Sequence, residues 1–407
     1  MKGRCLILSR GQGRNVFADI YAGLAARGWD VTSPGFAEQP DDEESWLARR
    51  IAVALADRRR IVRTLARGAR RARAEFRAAA HASAWFREVE TLLREPWDVV
   101  FASTGHLPIG ATRLITSRHP RVVVFNMVAL QRELDNAPWL GALRAVARVL
   151  YGRSLHPDVM RPVDVRALRA VVCPSTVWRD EAVAAGVPAD VCRVIPIGVP
   201  VPASAPPRPA LGDPARLLWA ARLSPEKGLH LFLAALPLVL RERAVTLDAV
   251  ALEGPAGYRD KVTRQIAALG LDGVVRLRPA MPRPDLIRAF DEHDLLLFHS
   301  VFGEPVAQVM LHAAAAGLPM VGPASARAES VLNAQTASCY VDTTPERIAA
   351  AILESLADEE RRLARAARLR AAVQDGHSFQ RTIDDVDALL TAVAAGTGDR
   401  LTPDATR

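Results

Sequence analysis

The feature that most limits how this chain can fold is a proline-rich run from Gly198 to Pro214, which interrupts a repeated alternation of strands and helices. Proline fixes φ and has no backbone N–H, so the run is unsuited to a helix or a paired central strand. Strand–helix alternation on both sides of it is typical of parallel, doubly wound sheets. The sequence therefore predicts an α/β fold with two doubly wound domains and a ligand cleft between the carboxyl ends of their sheets.

Apolar segments of strand length recur in both halves. They are predicted at Arg4–Ser9, Trp29–Thr32, Asp98–Ala102, Val122–Phe125 and Ala170–Cys173, and then at Leu217–Ala220, Thr246–Leu252, Val274–Leu277, Leu295–Phe298 and Met320–Val321. The predicted domains are residues 1–198 and 215–375, joined by a linker at 199–214. A C-terminal helix over 376–395 could pack back on the first domain, and the polar end, 396–407, is expected to be disordered.

The basic balance of the chain, a formal net charge of +8 over 407 residues, favours an anionic partner. Much of this charge lies between Arg49 and Arg94, where arginines accompany an apolar stripe at helical spacing. Such a helix can lie against an acidic membrane surface or expose its arginines to water, and both interpretations stay open. Few aromatic residues interleave these arginines, so we expect no nucleic-acid partner.

The cellular compartment of the protein can be inferred from targeting signals and from the spacing of its cysteines. No apolar run approaches the roughly 18 residues of a membrane span, and no signal-peptide cleavage pattern follows the start. The cysteines are widely scattered and lie mostly in apolar segments, which is typical of buried thiols; they are Cys5, Cys173, Cys192 and Cys339. We expect a cytoplasmic protein, with peripheral contact at the inner face of the membrane as the open alternative.

One loop carries charges that stand out in this arginine-rich chain. Residues 219–228 read W-A-A-R-L-S-P-E-K-G and contain Arg222 and Lys227, the latter one of only three lysines. A lysine is a compact point charge and an arginine a planar fork, so the two together can hold a diphosphate from two sides. Two ordinary solvated charges are the alternative interpretation.

Two more segments of the second half are expected at the same end of the sheet. Gly254 follows the strand Thr246–Leu252. Glu304 and Pro305 stand where a helix over Val306–Ala316 should begin, and Gly317 is placed to end it.

The start of that helix is a predicted anion site. The free N–H groups of Val306, Ala307 and Gln308 should point outwards, where the helix dipole favours negative charge. His312 follows Glu304 by eight residues and should lie on roughly the same side. Together with Arg222 and Lys227, these groups predict a diphosphate site at which cationic side chains and the helix dipole replace a metal ion.

These segments resemble the family 4 glycosyltransferases, which have the GT-B architecture of two facing Rossmann-like domains. The matching segments lie between about Arg216 and Asp342; they are A-R-L-S-P-E-K-G, E-G-P and E-P-V-A-Q-V-M-L-H-A-A-A-A-G-L-P. The last of them resembles the E-x7-E motif of the family. The first half of the chain matches more weakly.

The resemblance implies an enzyme that moves a hexosyl group from a nucleotide-diphosphate sugar to an acceptor, with retention of configuration and without a metal or other cofactor. Arg222 and Lys227 would stabilise the departing diphosphate. Glu304 would accept hydrogen bonds from hydroxyls of the donor sugar. The donor-binding residues implied alongside it are Gly254, Pro305, Val306, Ala307, Gln308 and His312. The acceptor stays open between a lipid-linked or cell-envelope glycan and a small molecule such as a secondary metabolite.

Two positions depart from the family pattern. His312 stands where the family usually has a second Glu that accepts both ribose hydroxyls, and a neutral imidazole offers only one acceptor. Asn126 stands where the family often has a His that contacts the donor sugar. His106 could replace that His in contacting the donor sugar or acceptor, or it is an ordinary loop residue. Gly11 and Gly13 could let the donor phosphate or the acceptor approach the backbone, or merely form a strand–helix turn.

These departures motivate a different hypothesis, a non-catalytic GT-B scaffold or partner subunit that retains the fold. The joint presence of Arg222, Lys227 and Glu304 argues against it, because a scaffold needs no leaving-group clamp. A GT-B sugar-nucleotide epimerase would share the architecture but is not expected to carry this set of motifs.

Overall fold

The computed structural model describes residues 2–9, 16–33, 83–103, 107, 110–125, 134, 144, 156–158, 161–204, 208, 210–252, 254–255, 257–300, 307–324 and 331–396. They form two compact units. The first takes in Met1–Pro196 and Ile383–Arg407, and the second takes in Ile197–Thr382.

The first unit is built on a parallel sheet with the strand order β2-β1-β3-β4-β5-β6. These strands are β1 (Gly3–Leu8), β2 (Trp29–Thr32), β3 (Val99–Ser103), β4 (Val122–Phe125), β5 (Ala170–Cys173) and β6 (Cys192–Val194). The helices described between them are α1 (Val16–Ala26), α2 (83–92), α3 (Ala111–Arg118) and α4 (Thr176–Ala184). Strands β3, β4 and β5 are buried along their whole length. Burial of both faces explains why they read as continuous apolar runs.

The second unit repeats this plan with the strand order β12-β11-β10-β7-β8-β9, again all parallel. Its strands are β7 (Ala215–Arg222), β8 (Val245–Leu252), β9 (Val275–Pro279), β10 (Leu295–Leu297), β11 (Met320–Pro323) and β12 (Ser338–Tyr340). Its helices are α5 (Leu229–Val239), α6 (Tyr258–Ala268), α7 (Arg283–Glu292), α8 (Gln308–Ala315), α9 (Pro345–Ala357) and α10 (Glu359–Gly376). Helix α11 (Phe379–Ala394) then continues into the first unit.

Strand β7 shows how the sheet of the second unit is covered on both faces. Leu217 and Trp219 belong to an apolar cluster with helices α5 and α9, whereas Leu218 and Ala220 belong to a second cluster with helices α8 and α10. Successive side chains of a strand point to opposite faces, so this division follows from the period of two. The sheet is therefore held rigidly between two helical layers.

The proline-rich run begins inside the second unit. The N–H of Val199 donates to the carbonyl of His377 at 2.9 Å, and the N–H of Phe379 donates to the carbonyl of Val199 at 2.9 Å. The predicted linker, 199–214, therefore starts as a segment tied to the end of α10. Its described residues form no helix or ladder strand, only an isolated bridge between Val199 and Ser378.

Helix α11 packs on the first unit through Asp387. Its carboxylate accepts hydrogen bonds from Lys2 Nζ at 2.6 Å and from the buried indole Nε1 of Trp29 at 2.8 Å. Asp384, one turn earlier, pairs with Arg27 at 2.5 Å. Side chains at or just before the starts of β1 and β2, namely Lys2, Arg27 and Trp29, thus bind helix α11.

Most predicted elements are confirmed, with boundaries that agree or are shifted by up to three residues. The strands β6 and β12 were not predicted, because polar residues such as Arg193 and Ser338 leave them without a continuous apolar run. Of the Arg-rich stretch between Arg49 and Arg94, only 83–94 lies within the described residues, and the predicted disordered end lies outside them except for Gly396. The four cysteines are free thiols, three of them buried and Cys339 half-buried. None of the described helices combines the length and apolarity needed to cross a bilayer.

Candidate functional site

Three neighbouring strands of the second unit end at one edge of the sheet, and each leads into a segment that carries polar groups. In the order β10-β7-β8, the strands run in parallel, so their carboxyl ends lie side by side. Strand β10 leads to His299 and Ser300, β7 to the loop of Arg222 and Lys227, and β8 to Gly254. Ligands of open α/β sheets bind at this edge. We therefore call these three segments the candidate site.

The loop after β7 is shaped by a short 3-10 turn. Pro225 starts this turn, which covers Pro225–Lys227, and Gly228 ends it in the left-handed conformation with φ of 71°. Within it the N–H of Lys227 donates to the Ser224 carbonyl at 3.0 Å. The Trp219 indole, almost fully buried, donates to the carbonyl of Lys227 at 3.1 Å. The backbone that carries Lys227 is therefore anchored to the core of the sheet.

Arg222 is held by a carboxylate of the same loop. Its Nη2 lies 2.7 Å from Oε1 of Glu226, four residues later. Burial raises the pKa of the Glu226 carboxyl, but hydrogen bonds from Ser224, its own backbone and Arg222 outweigh burial, and the net pKa is lowered. Glu226 is therefore ionised at neutral pH and orients the guanidinium. The buried Nε of Arg222 has no partner among the described residues, so Arg222 keeps a donor for another group.

Gly254 lies directly against this loop. A Cβ at Gly254 would lie 2.7 Å from the carbonyl carbon of Leu223 and closer still to its oxygen. Only a glycine lets the ends of β7 and β8 approach so closely. The structure therefore brings the predicted residues Arg222, Lys227 and Gly254 into one place.

The helix predicted after β10 begins later than expected. Helix α8 starts at Gln308, and Ala307 is its N-cap residue with φ of −120°, so the predicted helix Val306–Ala316 is wrong in placing Ala307 inside the helix. No described side chain caps this end, because alanine has no hydrogen-bonding group. The N–H of Leu311 donates to the carbonyl of Ala307 at 3.0 Å, so the N–H groups of Gln308, Val309 and Met310 have no partner within the helix.

The other end of α8 matches the prediction. Gly317 has φ of 72°, its N–H donates to Ala314 at 2.9 Å, and the N–H of Leu318 donates to Ala313 at 2.9 Å. This pair of hydrogen bonds is a Schellman motif, which satisfies the last carbonyls of the helix. His312, half-buried, lies one turn after the exposed Gln308 on the same face of α8.

Several predicted site residues lie outside the described part of the chain. In the second unit they are Glu304, Pro305 and Val306, and in the first unit they are Gly11, Gly13, His106 and Asn126. In the sequence, the first-unit positions come after β1, β3 and β4, which are neighbours in its sheet. Their roles stay predictions.

The structure adds two residues to the site that the sequence reasoning missed, Glu226 and His299. The spacing of four residues between Arg222 and Glu226 was a usable signal for the first. His299 is 5 % exposed, its ring stacks on Tyr340 with 6.1 Å between centroids, and its Nδ1 lies 2.8 Å from the Tyr340 hydroxyl. Burial lowers the pKa of the imidazole, and the charges of His230 and Lys227 lower it further, so His299 is neutral near pH 7.

Comparison with known proteins agrees with this architecture. Residues 214–358 match the family described as glycosyl transferases group 1. The glycogen synthase of Mycobacterium tuberculosis is 34% identical over 166 residues, which cover 40% of this chain and 39% of that protein. The D-inositol 3-phosphate glycosyltransferase of Thermobispora bispora is 31% identical over 167 residues, 39% of each chain. The match thus spans about two fifths of the length of these curated relatives.

Solved structures extend the likeness to nearly the whole chain. HepE of Anabaena, solved in complex with UDP-glucose, superposes with a TM-score of 0.65 at 16% identity and covers 97% of this chain and 100% of that one. The sucrose-phosphate synthase of Thermosynechococcus elongatus gives a TM-score of 0.64 at 15% identity, with coverage of 97% and 99%. At such identity the likeness speaks for the fold. The chain therefore has the two-domain α/β GT-B fold, and its residues 214–358 match the glycosyl transferases group 1.

Proposed function

We propose that the chain is a glycosyltransferase that moves a hexosyl group from a nucleoside-diphosphate sugar to an acceptor with retention of configuration. The observation that carries the proposal is the position of Arg222 and Lys227, on an anchored loop against Gly254, at the carboxyl edge of three central strands. The similarity to a glycogen synthase and to a D-inositol 3-phosphate glycosyltransferase supports the same reaction class.

In this proposal the loop neutralises the leaving group. Negative charge builds on the diphosphate as the glycosidic bond breaks, so Arg222 and Lys227 bind the transition state more strongly than the ground state. Removing one such group costs about 3–4 kcal/mol of barrier. The first N–H groups of α8 add the field of a helix N-terminus, and no metal ion or other cofactor takes part.

The donor sugar and the acceptor are assigned to the remaining predicted residues. Glu304 accepts hydrogen bonds from hydroxyls of the donor sugar, and His312 makes a single contact with the ribose. HepE, a structural neighbour solved with UDP-glucose, makes UDP-glucose the first donor to test. The net charge of +8 suits a lipid-linked or cell-envelope acceptor reached from the cytoplasmic face of a membrane.

Release of UDP from UDP-glucose without acceptor tests this proposal, because many transferases slowly hydrolyse their donor. We expect slow release by the wild-type protein and a fall of about 100-fold or more in Lys227→Ala with the fold intact. Lys261→Ala is the matched control, since it removes the same charge from an exposed position on α6 of the same unit. Equal activity of Lys227→Ala and the control would refute the role of Lys227. Nucleotide binding without turnover in the wild type, over UDP, GDP and dTDP sugars, would favour the scaffold hypothesis.

A further inference from the structure

His299 lies under the Arg222–Lys227 loop. A Cβ at Gly228 would lie 2.5 Å from Cδ2 of His299, so the edge of the ring bearing Cδ2 faces the residue after Lys227. Cδ2 is bonded to Nε2, and Nε2 is buried without a hydrogen-bond partner among the described residues. A buried polar atom left without a partner costs about 1–3 kcal/mol. The site thus contains a polar atom whose partner is not in the described protein.

A hydrogen bond that is missing between β10 and β11 determines whether this nitrogen donates or accepts. In the pairing of β10 with β11, the N–H of Leu296 donates to the carbonyl of Pro319 and the N–H of Phe298 donates to that of Val321, both at 2.9 Å. The same parallel register assigns the Phe298 carbonyl to the N–H of residue 323. Residue 323 is proline, which has no N–H to donate. The buried carbonyl therefore needs another donor.

The Tyr340 hydroxyl is that donor. Tyr340 is paired with Pro323 in the β11–β12 ladder, and its hydroxyl lies 3.3 Å from the Phe298 carbonyl oxygen. A hydroxyl has a single hydrogen, so its contact with His299 Nδ1 must use the hydroxyl oxygen as acceptor. Nδ1 of His299 then carries the ring proton and donates to Tyr340 at 2.8 Å. In a neutral imidazole this leaves Nε2 without a proton, as an acceptor only.

Because Nε2 accepts a hydrogen bond, its partner must be a donor. Ionised diphosphate oxygens carry no hydrogen and cannot donate to an unprotonated Nε2, whereas a hydroxyl group can. We propose that His299 Nε2 accepts a hydrogen bond from a hydroxyl of the bound nucleotide sugar, either on the ribose or on the transferred hexose. This inference rests on the proposed function. It adds His299 to Glu304 and His312 as a residue that binds the nucleotide sugar.

Calorimetric titration of wild type, His299→Asn and His299→Gln with pyrophosphate, UDP and UDP-glucose tests the inference. Asn places a donor near the position of Nδ1 but has no group at Nε2, whereas Gln places its amide oxygen near Nε2. We expect His299→Asn to bind the ligand that carries the contacted hydroxyl, UDP-glucose alone or both UDP and UDP-glucose, about tenfold more weakly. Its affinity for pyrophosphate should stay unchanged. His299→Gln should recover part of the lost affinity. Weaker binding of both UDP and UDP-glucose assigns the ribose; weaker binding of UDP-glucose alone assigns the hexose.

Other outcomes overturn the inference. Wild-type affinity of a folded His299→Asn for UDP-glucose, or an equal loss for pyrophosphate and the nucleotides, would show that His299 only supports the fold of the loop. If wild type binds none of these ligands and no GDP or dTDP sugar, the proposed function itself fails and this inference with it.

A measurement on the wild-type protein covers the case in which the Asn variant does not fold. Long-range 1H–15N correlation spectra distinguish the two neutral imidazole tautomers, and the His299 signals are identified by their response to Tyr340→Phe. We expect a proton on Nδ1 and none on Nε2, with the Nε2 signal shifted by UDP-glucose. A proton on Nε2 would contradict the inference.

Discussion

Gly254→Ala tests whether the close approach of β7 and β8 positions the candidate site. The added Cβ would lie 2.7 Å from the carbonyl carbon of Leu223. This backbone is itself fixed, because the N–H of Leu223 donates to the carbonyl of Leu252 at 2.7 Å. The atoms that the Cβ meets belong to the main chain, so no side chain can rotate away to relieve the clash.

The size of the effect follows from these distances. Carbon atoms in contact rest about 3.5–4.0 Å apart, so the two segments must separate by about 1 Å. Overpacking of this kind costs about 1–3 kcal/mol. For a domain of about 150–250 residues, each kcal/mol lowers the Tm by about 2–4 °C, which gives a total decrease of about 2–12 °C. Displacing Arg222 and Lys227 by about 1 Å should lower donor turnover by about 100-fold.

Thermal unfolding and release of UDP from UDP-glucose measure the two effects. Gly273→Ala is the matched control, since a Cβ there meets no atom within 4 Å and the residue belongs to the same unit. We expect the control to keep the Tm and turnover of the wild type. Wild-type behaviour of Gly254→Ala in both assays would refute the idea that this contact holds the loop in place.

Two further predictions concern the stability of each unit. Burial raises the pKa of Asp294, but hydrogen bonds from Arg216 outweigh burial, and the net pKa is lowered. The contribution of Asp294 to the free energy of unfolding is therefore complete above about pH 4. It is lost as the pH falls through the lowered pKa. Asp294→Asn should therefore lower the free energy of unfolding at pH 7 and flatten its decrease in acid; an unchanged acid limb in urea titrations would contradict this. In Asp387→Ala, the buried Trp29 indole loses its acceptor, which should cost about 1–3 kcal/mol. Asp384→Ala, at an exposed ion pair, should cost less than about 1 kcal/mol, and equal losses would argue against the distinction.

The strands of both sheets could be predicted from sequence because burial on two faces produces continuous apolar runs such as Val122–Phe125. The loop of Arg222 and Lys227 could be found because lysine is rare in this chain. The start of α8 could not be predicted, since a proline such as Pro305 is compatible with a first helical turn but does not create one. The role of His299 depends on the register that directs the Phe298 carbonyl at Pro323, and such pairing between distant segments leaves no local pattern.

A crystal structure of the protein with UDP bound would show whether Arg222, Lys227 and the start of α8 bind the diphosphate of a nucleotide sugar. We predict phosphate oxygens within about 3 Å of Lys227 Nζ and of a guanidinium nitrogen of Arg222. Binding of UDP with its phosphates directed away from both side chains would show that this loop does not hold the leaving group.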